Sequence, residues 1–122
     1  MDDSGLVEAL RERYDGSLLA VATYSADGYT LHFTADRVEE NYSALDIEAI
    51  YDDVVLQDIA QPFQEQLFGD MGDIRGKLRL FENGTVAHFW PSEEREGAFV
   101  AFRPDADLRL RDLYGVVAEH YS

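Results

Sequence analysis

Two stretches far apart in the chain, SLLAVATY (residues 17–24) and GAFVAFR (residues 97–103), are apolar at consecutive rather than alternate positions. A β-strand sends successive side chains to opposite faces. An unbroken apolar run therefore needs cover on both sides and belongs in the middle of a sheet. Two other strand-like segments alternate. In YTLHFT (29–34), Tyr29, Leu31 and Phe33 point one way and Thr30, His32 and Thr34 the other. In residues 73–81, Ile74, Leu78 and Leu80 oppose Arg75, Lys77, Arg79 and Phe81. Half-buried strands of this kind belong at the edges.

The segments between the strands read as helices. Leu6, Val7, Leu10 and Tyr14 form one stripe of a helix over 5–14, capped by Ser4 and ended by Asp15-Gly16. A short helical turn covers about 36–42. Ser43 stands three residues before Asp46, an approximate capping box. It predicts a long helix over 44–60 with Ile47, Ile50, Tyr51, Val54, Val55 and Ile59 as its apolar stripe. Pro62 should kink or restart this helix, with Phe63, Leu67 and Phe68 continuing the apolar side and Gly69 as the stop. Beyond the last strand, Pro104 breaks the chain. Asp105 or Asp107 would cap a final helix over 108–121, whose core positions are Leu110, Leu113, Tyr114, Val117 and Tyr121.

The element order is then α-β-β-α-β-β-β-α. Short turns pair strand 1 with 2 (through SADG, 25–28), 3 with 4, and 4 with 5 (through PSEEREG, 91–97). With strands 1 and 5 central and 2 and 3 marginal, one antiparallel order satisfies all constraints, 2-1-5-4-3. The expected fold is α+β: a single five-stranded antiparallel sheet with helices packed on it, one domain over residues 1–122. The long middle helix would cover one face, and the terminal helices or a second subunit the other.

The stretch FENGTVAHFW (81–90) holds the only Trp and follows the only Lys. Asn83-Gly84 is a strong hairpin signal, since a type I′ turn needs positive φ at both central positions. That turn makes strand 4 residues 85–90 and pairs Phe81 with Val86, Arg79 with His88 and Lys77 with Trp90 on one face. Leu80 then faces Ala87, and Leu78 faces Phe89, on the core face. Lys77 over Trp90 would be a cation–π contact. The stretch is a hairpin, and its residues do not converge on a substrate.

The formal charge is −15 over 122 residues, with nine Arg and one Lys as the only cationic side chains besides three His. The magnitude is far above the about 2–8 usual in a small domain. Acid excess with almost no Lys resembles the cytosolic proteins of salt-loving archaea, and the chain is similar to small acidic haloarchaeal proteins without an assigned function. Self-repulsion of this size destabilises a compact state at low salt, and molar salt shortens the screening length to about 3 Å. Salt adaptation is preferred over nucleic-acid mimicry because the acids are spread along the whole chain. Nucleic-acid binding is not expected, since it needs a basic footprint. No apolar run reaches the about 18 residues of a membrane span, so no membrane partner is expected. The acidic MDDSGLVEAL start differs from a signal peptide, and the expected location is the cytoplasm. Without Cys, disulfides and thiolate metal sites are excluded.

Candidate chemistry is sparse. His32, His88 and His120 stand singly, without a second ligand at metal spacing. Glu48, Asp52 and Asp53 read as the polar side of the middle helix, and Asp70 and Asp73 as a plain loop without EF-hand spacing. No nucleophile elbow, P-loop or dinucleotide glycine pattern is present, so no catalytic residue, cofactor or metal is expected. One local anomaly remains. Three of the ten basic residues, Arg75, Lys77 and Arg79, fall within five positions and share a strand face with Phe81, Val86, His88 and Trp90. Those cations either pair with the protein's own acids, for example on the terminal helices or the EEREG loop, or form a candidate interaction face. An anionic small ligand is a third possibility.

The order of elements and strands, over the whole chain, resembles the roadblock/longin domains and more distantly the PAS and profilin-like domains. No motif residue is shared. The roadblock resemblance implies a non-enzymatic regulatory or interaction module whose partner is a second copy or another protein, with a homodimer as the expected state. The PAS resemblance implies ligand or signal sensing, in a pocket between the middle helix and the sheet lined by Tyr51, Val55, Phe63, Phe89 and Phe102. An unrecognised enzyme is the distant alternative. It would need His88 or His32 gathered with a carboxylate in a cleft.

Overall fold

The computed structural model describes residues 4–25, 27–90 and 96–121. One antiparallel sheet organises them: β1 (Leu18–Ser25), β2 (Gly28–Thr34), β3 (Gly76–Phe81), β4 (Gly84–Phe89) and β5 (Gly97–Phe102), in the order β2-β1-β5-β4-β3. This is the order that the two doubly apolar strands demand. α1 (Ser4–Tyr14) and α4 (Leu110–His120) lie on one face, while α2 (Asp36–Asn41) and α3 (Ala44–Leu67) lie on the other. No described helix is long and apolar enough to cross a membrane.

The α1/α4 face carries the larger core. Leu6, Leu10, Leu113 and Val117 of the helices close over Val21, Phe89, Val100 and Phe102 of the sheet, all nearly inaccessible to solvent. The α3 face has a smaller core of Tyr24, Val54 and Trp90, with Ile50, Tyr51, Ile74 and Phe99 partly buried around it. α3 begins at a true capping box. Asp46 N–H donates to Ser43 Oγ at 3.2 Å, and Ser43 N–H donates to Asp46 Oδ2 at 2.9 Å. Two otherwise orphaned N–H donors are thus satisfied.

The hairpin register differs from the expected one. Phe81 pairs with Gly84, Arg79 with Val86, Lys77 with His88 and Gly76 with Phe89. The two-residue turn is therefore Glu82-Asn83, and neither residue has positive φ. Gly84 is already in the strand. It owes its place to close approach, since a Cβ there would sit 3.0 Å from the carbonyl oxygen of Phe102 in β5. Moving the turn by one position moves every partner by two, so each side chain keeps its face.

Four further differences have local causes. β3 starts at Gly76 and not at 73, because the backbone of Ile74 is diverted: its N–H donates to Glu65 (2.7 Å) and its carbonyl accepts from Gln61 (2.8 Å). α3 runs unbroken through Pro62. That residue is solvent-exposed, so its ring packs against no neighbouring element, and the helix loses only the one N–H that proline lacks. α4 starts at Leu110 with Arg109 as an N-cap that makes no side-chain bond. Pro104 and Asp105 instead sit in a turn closed by Ala106 N–H to Arg103 O at 3.2 Å, so neither Asp105 nor Asp107 caps the helix. The segment that follows packs Ala106 and Leu108 against the core, which delays the helix. Ala26 of the first turn, the loop residues 91–95 and the Ser4 side chain lie outside the described residues.

The largest difference concerns α3. Its inward positions change character along its length. Ile47, Ile50, Tyr51 and Val54 face the sheet, but the next positions on that side are Gln57, Asp58, Gln61 and Glu65. Ile59, Phe63 and Leu67, expected to continue the core stripe, face outward with Leu56. At about 100° per residue, Phe63 lies half a turn around from Val54.

Candidate functional site

The β3–β4 hairpin brings all seven residues of the candidate interaction face together, and α3 lies over them. His88 is 1 % and Trp90 5 % exposed. The cations are engaged within the chain. Arg79 lies 2.9 Å from Asp53 of α3 and donates to His88 Nε2 at 2.9 Å. Lys77 donates to Gln57 at 3.4 Å and sits 6.0 Å from the Trp90 ring centroid. Arg75 reaches the Trp90 carbonyl at 3.4 Å and Asp73 at 3.5 Å. Among the described residues, the acid that pairs with Arg79 is thus on the middle helix. Val86 is half-buried, and Phe81 is exposed at the rim with the Arg79 guanidinium 6.0 Å from its ring.

Arginine can only donate, so His88 Nε2 accepts and its proton sits on Nδ1. That N–H is buried without a partner among the described residues. Burial first, and then the neighbouring Arg79 charge, lower the His88 pKa to about 4, against an opposing pull from Asp53 and with a lesser push from Lys77. His88 is therefore a neutral strut. Beside it, the Tyr24 hydroxyl donates to Asp58 Oδ1 at 3.5 Å. Burial, and then the Asp58 carboxylate, push the Tyr24 hydroxyl far above its ordinary value, and burial also raises Asp58. The Trp90 indole N–H neighbours this pair without a hydrogen bond of ordinary geometry.

The histidines are not gathered. His32 pairs with Thr23 Oγ1 at 2.7 Å, and His120 stacks edge-on with Tyr121. No group of three His, Asp or Glu that could hold a metal occurs among the described residues.

A cavity of about 560 Å³ lies between α2–α3 and the sheet. Its floor follows from small residues on one face of the central strands. Ala20 of β1 pairs directly with Ala101 of β5, and Ala101 with Val86 of β4. The cross-strand row is Thr34–Ala20–Ala101–Val86–Arg79. Larger side chains wall it, among them Tyr29, Leu31, Ile47, Ile50 and Phe99. Of the five residues expected to line a pocket here, Tyr51 does so, Phe102 borders it from a position whose side chain belongs to the α1/α4 core, and Val55 is not among the lining. Phe89 belongs to the opposite core, and Phe63 points to solvent. Sequence reasoning overlooked the alanines and Arg37. The signal was present as Ala20 and Ala22, two apart in β1, and Ala101 in β5, but only the register joins them into one floor.

Fold and site together define an α+β protein in which one face of a five-stranded sheet is tightly covered and the other encloses a cavity. The chain belongs to the family described as a domain of unknown function (DUF7522), which matches residues 4–122. No curated protein matches the chain.

Proposed function

We propose that this is a non-enzymatic protein-interaction module, of roadblock-like architecture and working at high salt, that docks a second copy of itself through the outer side of α3. One observation carries the reading: Leu56, Ile59, Phe63 and Leu67 are 62–71 % exposed. Their spacing of three, four and four residues makes one continuous apolar stripe, and Phe68 and Met71 extend it. Such a stripe is self-complementary across a two-fold axis. The resemblance to roadblock domains supports it by strand order, as fold-level analogy. The working surface moves from the β3–β4 face to this stripe because His88 and Trp90 lie beneath α3.

α3 carries six acids and no Lys or Arg. Two copies would oppose like charges, so salt should strengthen the dimer, whereas it would weaken docking of a basic partner. Sedimentation equilibrium in molar KCl and at low salt tests this. A dimer in molar KCl that Phe63→Gln converts to monomer is the expected result. A monomer at every salt concentration would overturn the homodimer.

The cavity favours a second reading, a small-ligand sensor of PAS-like kind. Its volume falls within the about 300–1,000 Å³ of typical small-molecule sites.

A further inference from the structure

We infer that the cavity between α2–α3 and the sheet takes an amphipathic organic anion: an apolar body over the Ala20–Ala101 floor, ended by a carboxylate at Arg37. The inference rests on the ligand-sensing reading and names its chemistry.

The apolar body follows from the lining. Alanines on the two central strands leave space where α3 would otherwise pack, and leucine, isoleucine and aromatic side chains surround it. The opposite face of the same strands places Val21, Val100 and Phe102 against α1 and α4 and is filled. The void therefore belongs to the choice of residues on one face and not to a general looseness of the sheet.

The sign of the head group follows from the charged lining, which consists of Arg37, Asp53 and Arg79. Asp53 and Arg79 neutralise each other at 2.9 Å. Arg37, half-buried on α2, donates to the Asn83 carbonyl at 3.2 Å and has no carboxylate partner among the described residues. One cationic charge is left over at the cavity in a chain of −15. A cationic ligand would meet no unpaired carboxylate. A sugar-like ligand would leave most of its hydroxyls against hydrocarbon, at a cost. An anion with an apolar tail satisfies both parts, because a guanidinium binds carboxylate through paired N–H donors.

The test compares three probes of matched tail, octanoate, octanol and octyltrimethylammonium, by isothermal titration in molar salt. Octanoate is expected to bind saturably with one site per chain, octanol more weakly, and the ammonium not at all. Arg37→Gln should weaken octanoate by about tenfold or more and leave octanol unchanged. Ala101→Leu, which fills the floor, should abolish octanoate binding. Ile47→Phe fills the cavity from the helix side should that variant not fold, with circular dichroism reporting the fold. Octanol binding as tightly as octanoate would overturn the anion while keeping the ligand reading. No binding of any probe would overturn both. Octanoate binding that survives a folded cavity-filling variant would place the site elsewhere and overturn the inference.

Discussion

The two faces of the sheet are built from the same strands and differ in almost every other respect. On the α1/α4 side, large side chains from both layers interlock and exclude water. On the α3 side, the strands offer alanines, the helix offers polar groups from Gln57 onward, and a cavity remains. The first face supplies stability by burial of apolar area. The second spends potential burial on a void, and beyond Val54 the helix turns its apolar residues outward. A chain under pressure for stability alone would gain by filling Ala20 and Ala101 and by making Phe63 polar. Their presence is the reason to look for function on this side.

The contrast can be broken most directly by truncating one Phe on each face. Phe89→Ala, in the filled core, should cost about 3–5 kcal/mol. Phe99→Ala, beside the cavity, should cost about 1–2 kcal/mol, since its surroundings are already incompletely packed. Denaturant unfolding in molar salt measures both, and equal losses would mean that the two faces are equally packed.

Acidification sharpens the comparison next. His88 is held neutral with a pKa of about 4, below its ordinary 6.5. Above pH 6.5 folded and unfolded chains are alike at this group. Below it the unfolded chain takes up a proton that the folded chain refuses, so stability falls by up to about 1.4 kcal/mol per pH unit until pH 4. Asp58, raised by burial, acts with the opposite sign, since its folded form holds a proton that the unfolded chain releases as pH rises. His88→Gln should flatten the His88 part of the slope. An unchanged slope between pH 6.5 and 4 would show that His88 titrates normally.

A smaller effect tests the hairpin. Gly84→Ala places a methyl group against the Phe102 carbonyl oxygen and should destabilise by about 1 kcal/mol. A neutral outcome would contradict the close approach of β4 to β5. The smallest effect is expected at the outer stripe. Ile59→Gln should change the stability of the monomer by less than about 0.5 kcal/mol while weakening self-association. A large loss of monomer stability would mean that Ile59 packs within the chain.

Much of the architecture was legible without coordinates. Residues 17–24 and 97–103 had to be central because both their faces are apolar, and that, together with the hairpin connections, ordered the sheet. Ser43 and Asp46 marked the start of α3. The candidate site was legible in part: the basic cluster of β3 was visible, but the helix over it and its partner Asp53 were not. α3 shows why. Its sequence is apolar at Ile47, Ile50 and Val54 and also at Leu56, Ile59, Phe63 and Leu67, and periodicity merges both sets into one stripe.

Sequence by itself determined which segments are strands, which strands lie inside the sheet and that the α3 cap forms, because these depend on local chemistry and on side-chain alternation. Only the tertiary structure decided which side of α3 faces inward beyond Val54. Ile74 needed backbone partners and Lys77 an acceptor, and Gln57, Gln61 and Glu65 supply them. Pairing those half-buried polar groups took the inward positions that Ile59 and Phe63 would otherwise fill, since leaving a donor or acceptor unpaired away from water has a cost. The cavity floor was likewise decided by register, because Ala20 and Ala101, distant in the chain, become neighbours only when β1 and β5 pair.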